Sequence, residues 1–386
     1  MYPNLSYLVH AVTGWGPDNF LSIIQTFGLF LALAFLAAGW VFALELKRKG
    51  DEGLFQPTSV TTLVGAPPSW NDVIWNAVFG FLIGYKGVYA WQHAAAFQQD
   101  AASIILSSKG HALGGLIGLA IFGGWKWWQR TSAKGPGEQR TVQVWPHDRV
   151  WDMAMIAGLS GVGGAKLFSI LEDPAALIND PMGQIFSGAG LNIFGGLIMG
   201  FVGVYSYVRW KGIPGIHVMD AVAPALITGY AVGRVGCQLS GDGDWGIPNP
   251  HPIPDWWFLP DWMWAFDYPH NVIHEGVAID GCTWQFCERL PELVYPTPFY
   301  ETMLGLVILG ILWALRKRIS YPGVLFFVYV LLIAVERFFI EKIRVNQKFD
   351  VLGWQATQAE VIAVILFFVG LAGILVFWKR GQSKAA

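Results

Sequence analysis

Nine apolar stretches, each close to the length of about 20 residues that a helix needs to cross about 30 Å of hydrocarbon, constrain this chain more than any motif does. They fall near residues 27–44, 73–90, 112–125, 151–171, 191–208, 218–235, 299–315, 324–340 and 361–378. In lipid each backbone polar group must be bonded within its own segment, so stretches of this length read as helices. The expected fold class is all-α: a polytopic integral membrane bundle of about nine transmembrane helices, one membrane domain over residues 1–386. The third stretch reaches full length only if residues 104–106 join it, and boundaries this soft also fit seven or eight crossings. Charged residues are 13% of the chain, against about 25% in soluble domains, which excludes an ordinary cytosolic enzyme. A net charge of −2 gives no electrostatic case for a nucleic-acid partner.

Orientation follows from Lys and Arg, which resist translocation. With nine spans and an external N-terminus, one side collects 16 of the 25 cations, among them Lys47, Arg48, Lys49, Lys134, Arg316, Lys317, Arg318, Lys379 and Arg380. That side is expected to be cytoplasmic and to hold the C-terminus. Residues 1–19 lack the basic start and apolar core of a cleavable signal, so the first apolar stretch is expected to target the chain.

Residues 71–130 read as a copy of residues 150–211, offset by about 80. Asp72, Gly84, Lys86 and Gly114-Gly115-Leu116-Ile117 correspond to Asp152, Gly164, Lys166 and Gly195-Gly196-Leu197-Ile198. Each unit is a helix pair with a lysine near the outer end of its first member. The plain reading of the small-residue patch is close helix packing. Lys86, Lys166, Arg234 and Arg337 all fall toward the external ends of their stretches. A lysine there either snorkels to the interface or meets a ligand, and an arginine needs a carboxylate or phosphate partner. Arg337 has Glu341 at i+4 and Glu336 beside it. Arg234 has no carboxylate within its own helix turn; it leads into Ser240-Gly241-Asp242-Gly243-Asp244-Trp245-Gly246, whose glycines let backbone approach a ligand.

The run 190–246, with Phe-Gly-Gly-Leu-Ile, Arg-Trp-Lys-Gly-Ile-Pro and Gly-Arg-Val-Gly-Cys-Gln-Leu-Ser-Gly-Asp-Gly-Asp-Trp-Gly, resembles prolipoprotein diacylglyceryl transferases. Tyr295-Pro296-Thr297-Pro298-Phe299-Tyr300-Glu301 and Glu336-Arg337-Phe338-Phe339-Ile340-Glu341 are similar to two further motifs of that family, in its order. With Phe27-Gly28 and Gly163-Gly164-Ala165-Lys166 the resemblance spans most of the chain.

The resemblance implies an enzyme of the bacterial inner (cytoplasmic) membrane. It moves a diacylglyceryl group from phosphatidylglycerol to the lipobox cysteine thiol of a prolipoprotein signal peptide, forming a thioether and releasing glycerol phosphate. The partners are thus membrane lipid and a secreted precursor, and no metal or organic cofactor is expected. The family core has seven spans, and the pair at 71–130 is the addition that makes nine. By resemblance, Arg234, Arg337, Glu341 and Asp242 are expected to be catalytic, the arginines on the phosphate. Lys166, Gly195, Gly196, Ser240, Gly246, Tyr300 and Glu301 are expected to bind substrate.

The chain departs from the family at Phe194, where the family has the histidine often proposed as thiol base, and at Phe27, Cys237 and Ser240. His111, just before Gly114-Gly115, is a substitute base; a positive field from Arg234, Arg337 and Lys166 is another route to the thiolate. Residues 240–298 form an expected external head, rich in Trp and Pro, with nine Asp or Glu and one basic residue, Arg289. Cys282 and Cys287 there make either a disulfide or, with His270 and His274, a zinc site. Two other functions fit the pattern: a transporter built from repeats, and an inactive paralogue that binds lipid or lipoprotein without transfer.

Overall fold

The computed structural model describes residues 1–99, 104–105, 107–133, 135, 137–174, 178, 192–351 and 353–385. Leu106, Lys134 and Leu191, used in the reading of spans and charge above, lie outside the described residues. The helices in chain order are α1 (Leu5–Thr13), α2 (Thr26–Asp51), α3 (Trp70–Gln92), α4 (Ala94–Gln99), α5 (Ala112–Ser132), α6 (Val150–Glu172), α7 (Ile193–Trp210), α8 (Gly215–Ser240), α9 (Thr297–Leu315), α10 (Val324–Glu341) and α11 (Gln358–Ala385). Antiparallel two-stranded ladders join β1 (Thr58–Val64) to β2 (Glu138–Val144), β3 (Val277–Ala278) to β4 (Glu288–Arg289), and β5 (Lys348–Val351) to β6 (Trp354–Thr357).

Among the described residues each of the nine apolar stretches falls on a helix. Six helical segments are long and apolar enough to cross a membrane: α2, α3, Pro146–Glu172, α8, α9 and Gln358–Ser383. The remaining three carry more charge or less apolar length. α10 holds Glu336, Arg337 and Glu341 near its end, α5 holds Lys126 and Arg130 among glycines, and α7 has 18 residues ending in Arg209-Trp210. Large apolar side chains such as Phe35, Trp40, Leu159 and Phe368 stand exposed on these helices, as a lipid solvent allows.

The chain forms two compact units, Met1–Phe55 with Ile213–Ala386, and Gln56–Gly212. In the first, α8 packs on α2, α9 and α10, and α10 packs on α11. Ala223, Ile227, Ile308, Leu312 and Leu325 make a fully apolar layer. Charge is confined to the two ends of this layer. At one end Glu45, wholly buried, binds Arg48 at 2.8 Å and Arg316, while Asp220 accepts Gly323 N at 2.8 Å and Phe326 N at 3.1 Å. Asp220 thereby caps α10, whose preceding residue Gly323 has a left-handed backbone and no side-chain cap of its own. The other end, 14 residues further along α8 and so about 21 Å away, carries Arg234.

In the second unit α3 packs on α5 and α6 on α7. A Cβ on Gly84 would strike the backbone oxygen of Gly114, and one on Gly164 that of Gly195, so both pairs approach at glycine. His111 N bonds Tyr85 O at 2.9 Å and Asn192 N bonds Ala165 O at 3.0 Å. His111 and Asn192 then cap their helices alike, accepting Gly114 N and Gly195 N at 3.0 Å each. Lys86 Nζ is taken up by carbonyls, Ile104 at 3.0 Å and Lys109 at 2.8 Å among them. The ladder β1–β2, with Thr58 opposite Val144 and Val64 opposite Glu138, closes the stretch that holds α3 to α5.

Candidate active site

Three chain reversals bring the site together within the first unit. α8 stops where Gly241 turns left-handed (φ 64°) and returns its N–H to Cys237 O at 3.0 Å. α9 starts with Pro298 in its first turn, where a missing N–H costs nothing, and Glu301 follows. α10 ends at Glu341, and the chain bends back so that Arg344 bridges Gly246, with Ile247 N on Ile343 O at 2.8 Å. A side chain at Gly246 would collide with that carbonyl, which is why this position is glycine.

The centre is Glu301, with no exposed surface. Arg234 Nε lies 3.1 Å from its Oε2, and Arg337 Nη1 and Arg344 Nη1 lie 3.5 and 3.3 Å from its Oε1. Asp244 receives Arg234 and, at 2.5 Å, Arg344 Nη2. Glu341 binds Arg337 at 2.8 Å and is itself held by Asn346 at 2.7 Å. Three guanidinium groups thus face three carboxylates, and each arginine is clamped at two points. Arg337 keeps the most open side chain, 30% exposed against 20% for Arg234 and 12% for Arg344. Beneath Arg234 lies the Tyr230 ring, at 5.4 Å, whose hydroxyl donates to buried Glu336 at 2.9 Å. A cluster of this kind binds an anion that can use the remaining N–H groups, and a phosphate suits the fork.

Arg234, Arg337, Glu341 and Glu301 therefore meet in one cluster, in which Glu301 faces the arginines. Gly246 sets the approach of Arg344's strand. Ser240 is buried against its own helix, its hydroxyl 3.4 Å from Cys237 O, and Tyr300 donates to Trp264 O at 3.1 Å, tying α9 to the 240–298 segment. Asp242 faces the loop, accepting Asp244 N at 3.4 Å, and lies with Cys237 and Asp244 in the one grouping of potential metal-ligand atoms among the described residues. Asp244 is already committed to two arginines there. Lys166, Gly195 and Gly196 belong to the second unit, where Gly195 meets Phe168 and Gly164 in helix packing. His111, weighed as a base, spends Nδ1 on capping α5. Cys282 and Cys287 form a disulfide, which removes both thiolates from any zinc site; His274 pairs with Glu288 at 2.9 Å instead.

Arg344, Asp244, Tyr230 and Glu336 were not singled out as site residues by the sequence. Arg344 lies three residues past the end of α10, where helix periodicity no longer applies.

The two loop carboxylates titrate in opposite directions. Burial raises the Asp242 carboxyl above its ordinary 3.8. Burial acts on Asp244 too, but Arg234 and Arg344 override it and hold that carboxyl below the usual value. A raised folded value means stability gained below the unfolded value and lost as pH rises through the folded one; a depressed value means the reverse. Asp242→Asn is expected to raise the melting temperature of the solubilised protein at pH 7, the gain vanishing toward about pH 4. Asp244→Asn is expected to lower it, the deficit shrinking as pH falls below about 4. Thermal unfolding against pH checks both, and shifts of the same sign would show that the arginines do not discriminate between them.

The prolipoprotein diacylglyceryl transferase family model matches residues 111–376, which include every member of the arginine cluster. A phosphatidylglycerol–prolipoprotein diacylglyceryl transferase of Dehalococcoides mccartyi is 31% identical over 240 residues, 62% of this chain and 80% of that protein. Proteins of the same name from Corynebacterium efficiens and Bifidobacterium adolescentis are 27% and 28% identical over 242 and 245 residues, each 61% of this chain and 70% and 68% of theirs. With more than half of its length matched by one family model, the chain belongs to the prolipoprotein diacylglyceryl transferase family.

Proposed function

We propose that this chain transfers the diacylglyceryl group of phosphatidylglycerol to the lipobox cysteine thiol of a prolipoprotein. The observation that carries the reading is the convergence of Arg234, Arg337 and Arg344 on buried Glu301 in a chain of this family. The substrate sulfur attacks the glycerol carbon that bears the phosphate ester, a C–S bond forms and the C–O bond breaks. The electron pair leaves with glycerol phosphate, and the thiol proton leaves with solvent or base. The nucleophile arrives with the substrate, so no Ser or Cys of this chain has to attack. The phosphate gains a charge as it departs, and Arg337 and Arg234, the more open of the three arginines, are assigned to stabilise it. Glu301 and Glu341 aim them. Asp242 and Gly246 shape the loop, and Tyr300 and Ser240 fasten it to α9 and α8. Phe194, on α7, offers no imidazole, so thiolate formation relies on another group or on the cationic field.

The same reading includes nine crossings in a bacterial inner membrane, an external N-terminus and a cytoplasmic C-terminus, with residues 240–298 as an outer head. It also takes residues 71–130 as a duplicate of 150–211; the matching caps and glycine contacts of the two pairs support this. Lys166, Gly195 and Gly196 are kept as substrate-binding residues on the family resemblance alone. The test is transfer of labelled diacylglyceryl from phosphatidylglycerol to a lipobox peptide by purified protein, with a Cys-to-Ser peptide as control. Thiol-dependent transfer is expected. Its absence from folded, lipid-binding protein would leave a lipid-binding member that has lost the reaction, the alternative that the Phe194 and Phe27 replacements keep.

A further inference from the structure

One helical turn beyond Arg234 on the same face of α8, about 6 Å along the axis, Gln238 lines a separate cavity of about 450 Å³. Its other walls come from α1 and from the 240–298 segment, chiefly Tyr7, His10, Trp262, His270 and Trp284. These walls are held in place independently of any ligand. The Cys282–Cys287 disulfide closes the loop that carries Trp284. Trp284 packs edge-on to Tyr7 at 5.7 Å and stacks on His270 at 4.8 Å, and Phe286 N donates to the Tyr7 hydroxyl at 3.1 Å. His270 keeps a left-handed backbone (φ 61°), uncommon for a non-glycine residue.

Two features of the lining point to a ligand. Gln238 is 6% exposed, and while one end of its amide meets the Tyr268 hydroxyl at 2.8 Å, the other end is buried with no partner among the described residues. Buried amide groups are almost always bonded, so this unbonded end is available to a ligand once the side chain turns toward the cavity. His10 and His270 each donate Nδ1–H to a carbonyl, Trp15 O at 2.8 Å and Phe286 O at 2.6 Å, because a carbonyl only accepts. In the neutral imidazole the Nε2 atoms are then acceptors. A cavity with aromatic walls, an unused amide and acceptor nitrogens matches a peptide, which offers C=O, N–H and apolar side chains together. An acyl chain offers none of the polar groups. A phosphate finds no Lys or Arg side chain in the lining, and the Met1 ammonium there already donates to Pro269 O at 2.6 Å.

We propose that this cavity binds the apolar peptide segment next to the reacting cysteine of the substrate, with Gln238 bonding its backbone. The inference rests on the transferase reading and adds to it a peptide subsite adjoining the arginine cluster along α8. Ala11, exposed on α1 at the cavity wall, gives a variant that fills the space without disturbing the core. In the full-length, disulfide-bonded protein in micelles, Ala11→Trp is expected to weaken binding of a fluorescently labelled lipobox peptide about tenfold or more. Gln238→Leu is expected to weaken it as well, and the KM for phosphatidylglycerol to stay unchanged in both. Melting temperatures report folding, and Ala11→Trp carries the test if Gln238→Leu proves unstable. Unchanged peptide affinity in folded Ala11→Trp would overturn the proposal, and so would a raised KM for phosphatidylglycerol with peptide binding intact, which marks a lipid site. Wild-type protein that binds the peptide at this cavity without transferring lipid would sink the transferase reading while leaving the subsite standing.

Discussion

Glu301→Ala is expected to destabilise the protein by about 3–5 kcal/mol and to abolish lipid transfer, the largest structural effect of any single change in the site. Glu301 has no exposed surface and lies within 3.5 Å of three different guanidinium groups. Removing it leaves three arginines facing Asp244 and Glu341, with a net positive charge in a place that water reaches poorly. The cost is that of uncompensated charge rather than of lost packing. Glu301→Gln, which keeps the volume and one acceptor oxygen, is therefore expected to lie between wild type and Glu301→Ala. A second consequence separates this account from simple cavity formation: an anionic lipid supplies the missing charge. Added phosphatidylglycerol is expected to raise the melting temperature of Glu301→Ala more than that of the wild type, whereas a zwitterionic lipid is not. Equal responses to the two lipids would mean that Glu301 is not the arginines' counter-charge.

What the sequence made legible follows the same physics. Arg337 and Arg234 stood out because charge inside an apolar stretch needs a partner, and Glu341 because it sits one turn from Arg337. The helical character of the apolar stretches was legible because a chain in lipid has to bond its backbone internally, and among the described residues six helical segments have the length and apolarity to cross a bilayer. Glu301 was visible only through the family resemblance of its motif. Asp244 and Arg344 escaped because they lie beyond helix ends, where charge is unremarkable, and only the bridge between Gly246 and Arg344 brings those ends together. The ladder β1–β2 escaped for a related reason. Its strands are short and exposed, and they pair across the entire 65–137 stretch, a contact that no local pattern encodes. The disulfide between Cys282 and Cys287 was one of two open readings, and the placement of His270 and His274 on other partners separates them. Gly195 and Gly196 show the converse. Their small size has a sufficient cause in helix packing, so their presence alone says little about substrate.

Arg234→Lys is expected to lower kcat by about 100- to 1000-fold while leaving the fold nearly intact, because it keeps the charge and loses the geometry. Arg234 engages Glu301 through Nε and Asp244 through Nη1 at once, with its plane over Tyr230. An ammonium neutralises the same carboxylates as a point charge but has no second edge in that plane for a phosphate oxygen. The phosphodiester of bound phosphatidylglycerol carries one negative charge and the departing glycerol phosphate approaches two, so the guanidinium bonds strengthen as the C–O bond breaks. An interaction that grows toward the transition state appears in kcat, whereas one equally present in the bound lipid appears in KM. The expected pattern is thus a large fall in kcat, a small change in the KM for phosphatidylglycerol, and a melting temperature near that of the wild type. Labelled-lipid transfer over a range of phosphatidylglycerol concentrations measures the first two. A full kcat in Arg234→Lys would reduce Arg234 to a counter-ion of Glu301 and pass the leaving-group role to Arg337, the more exposed of the two.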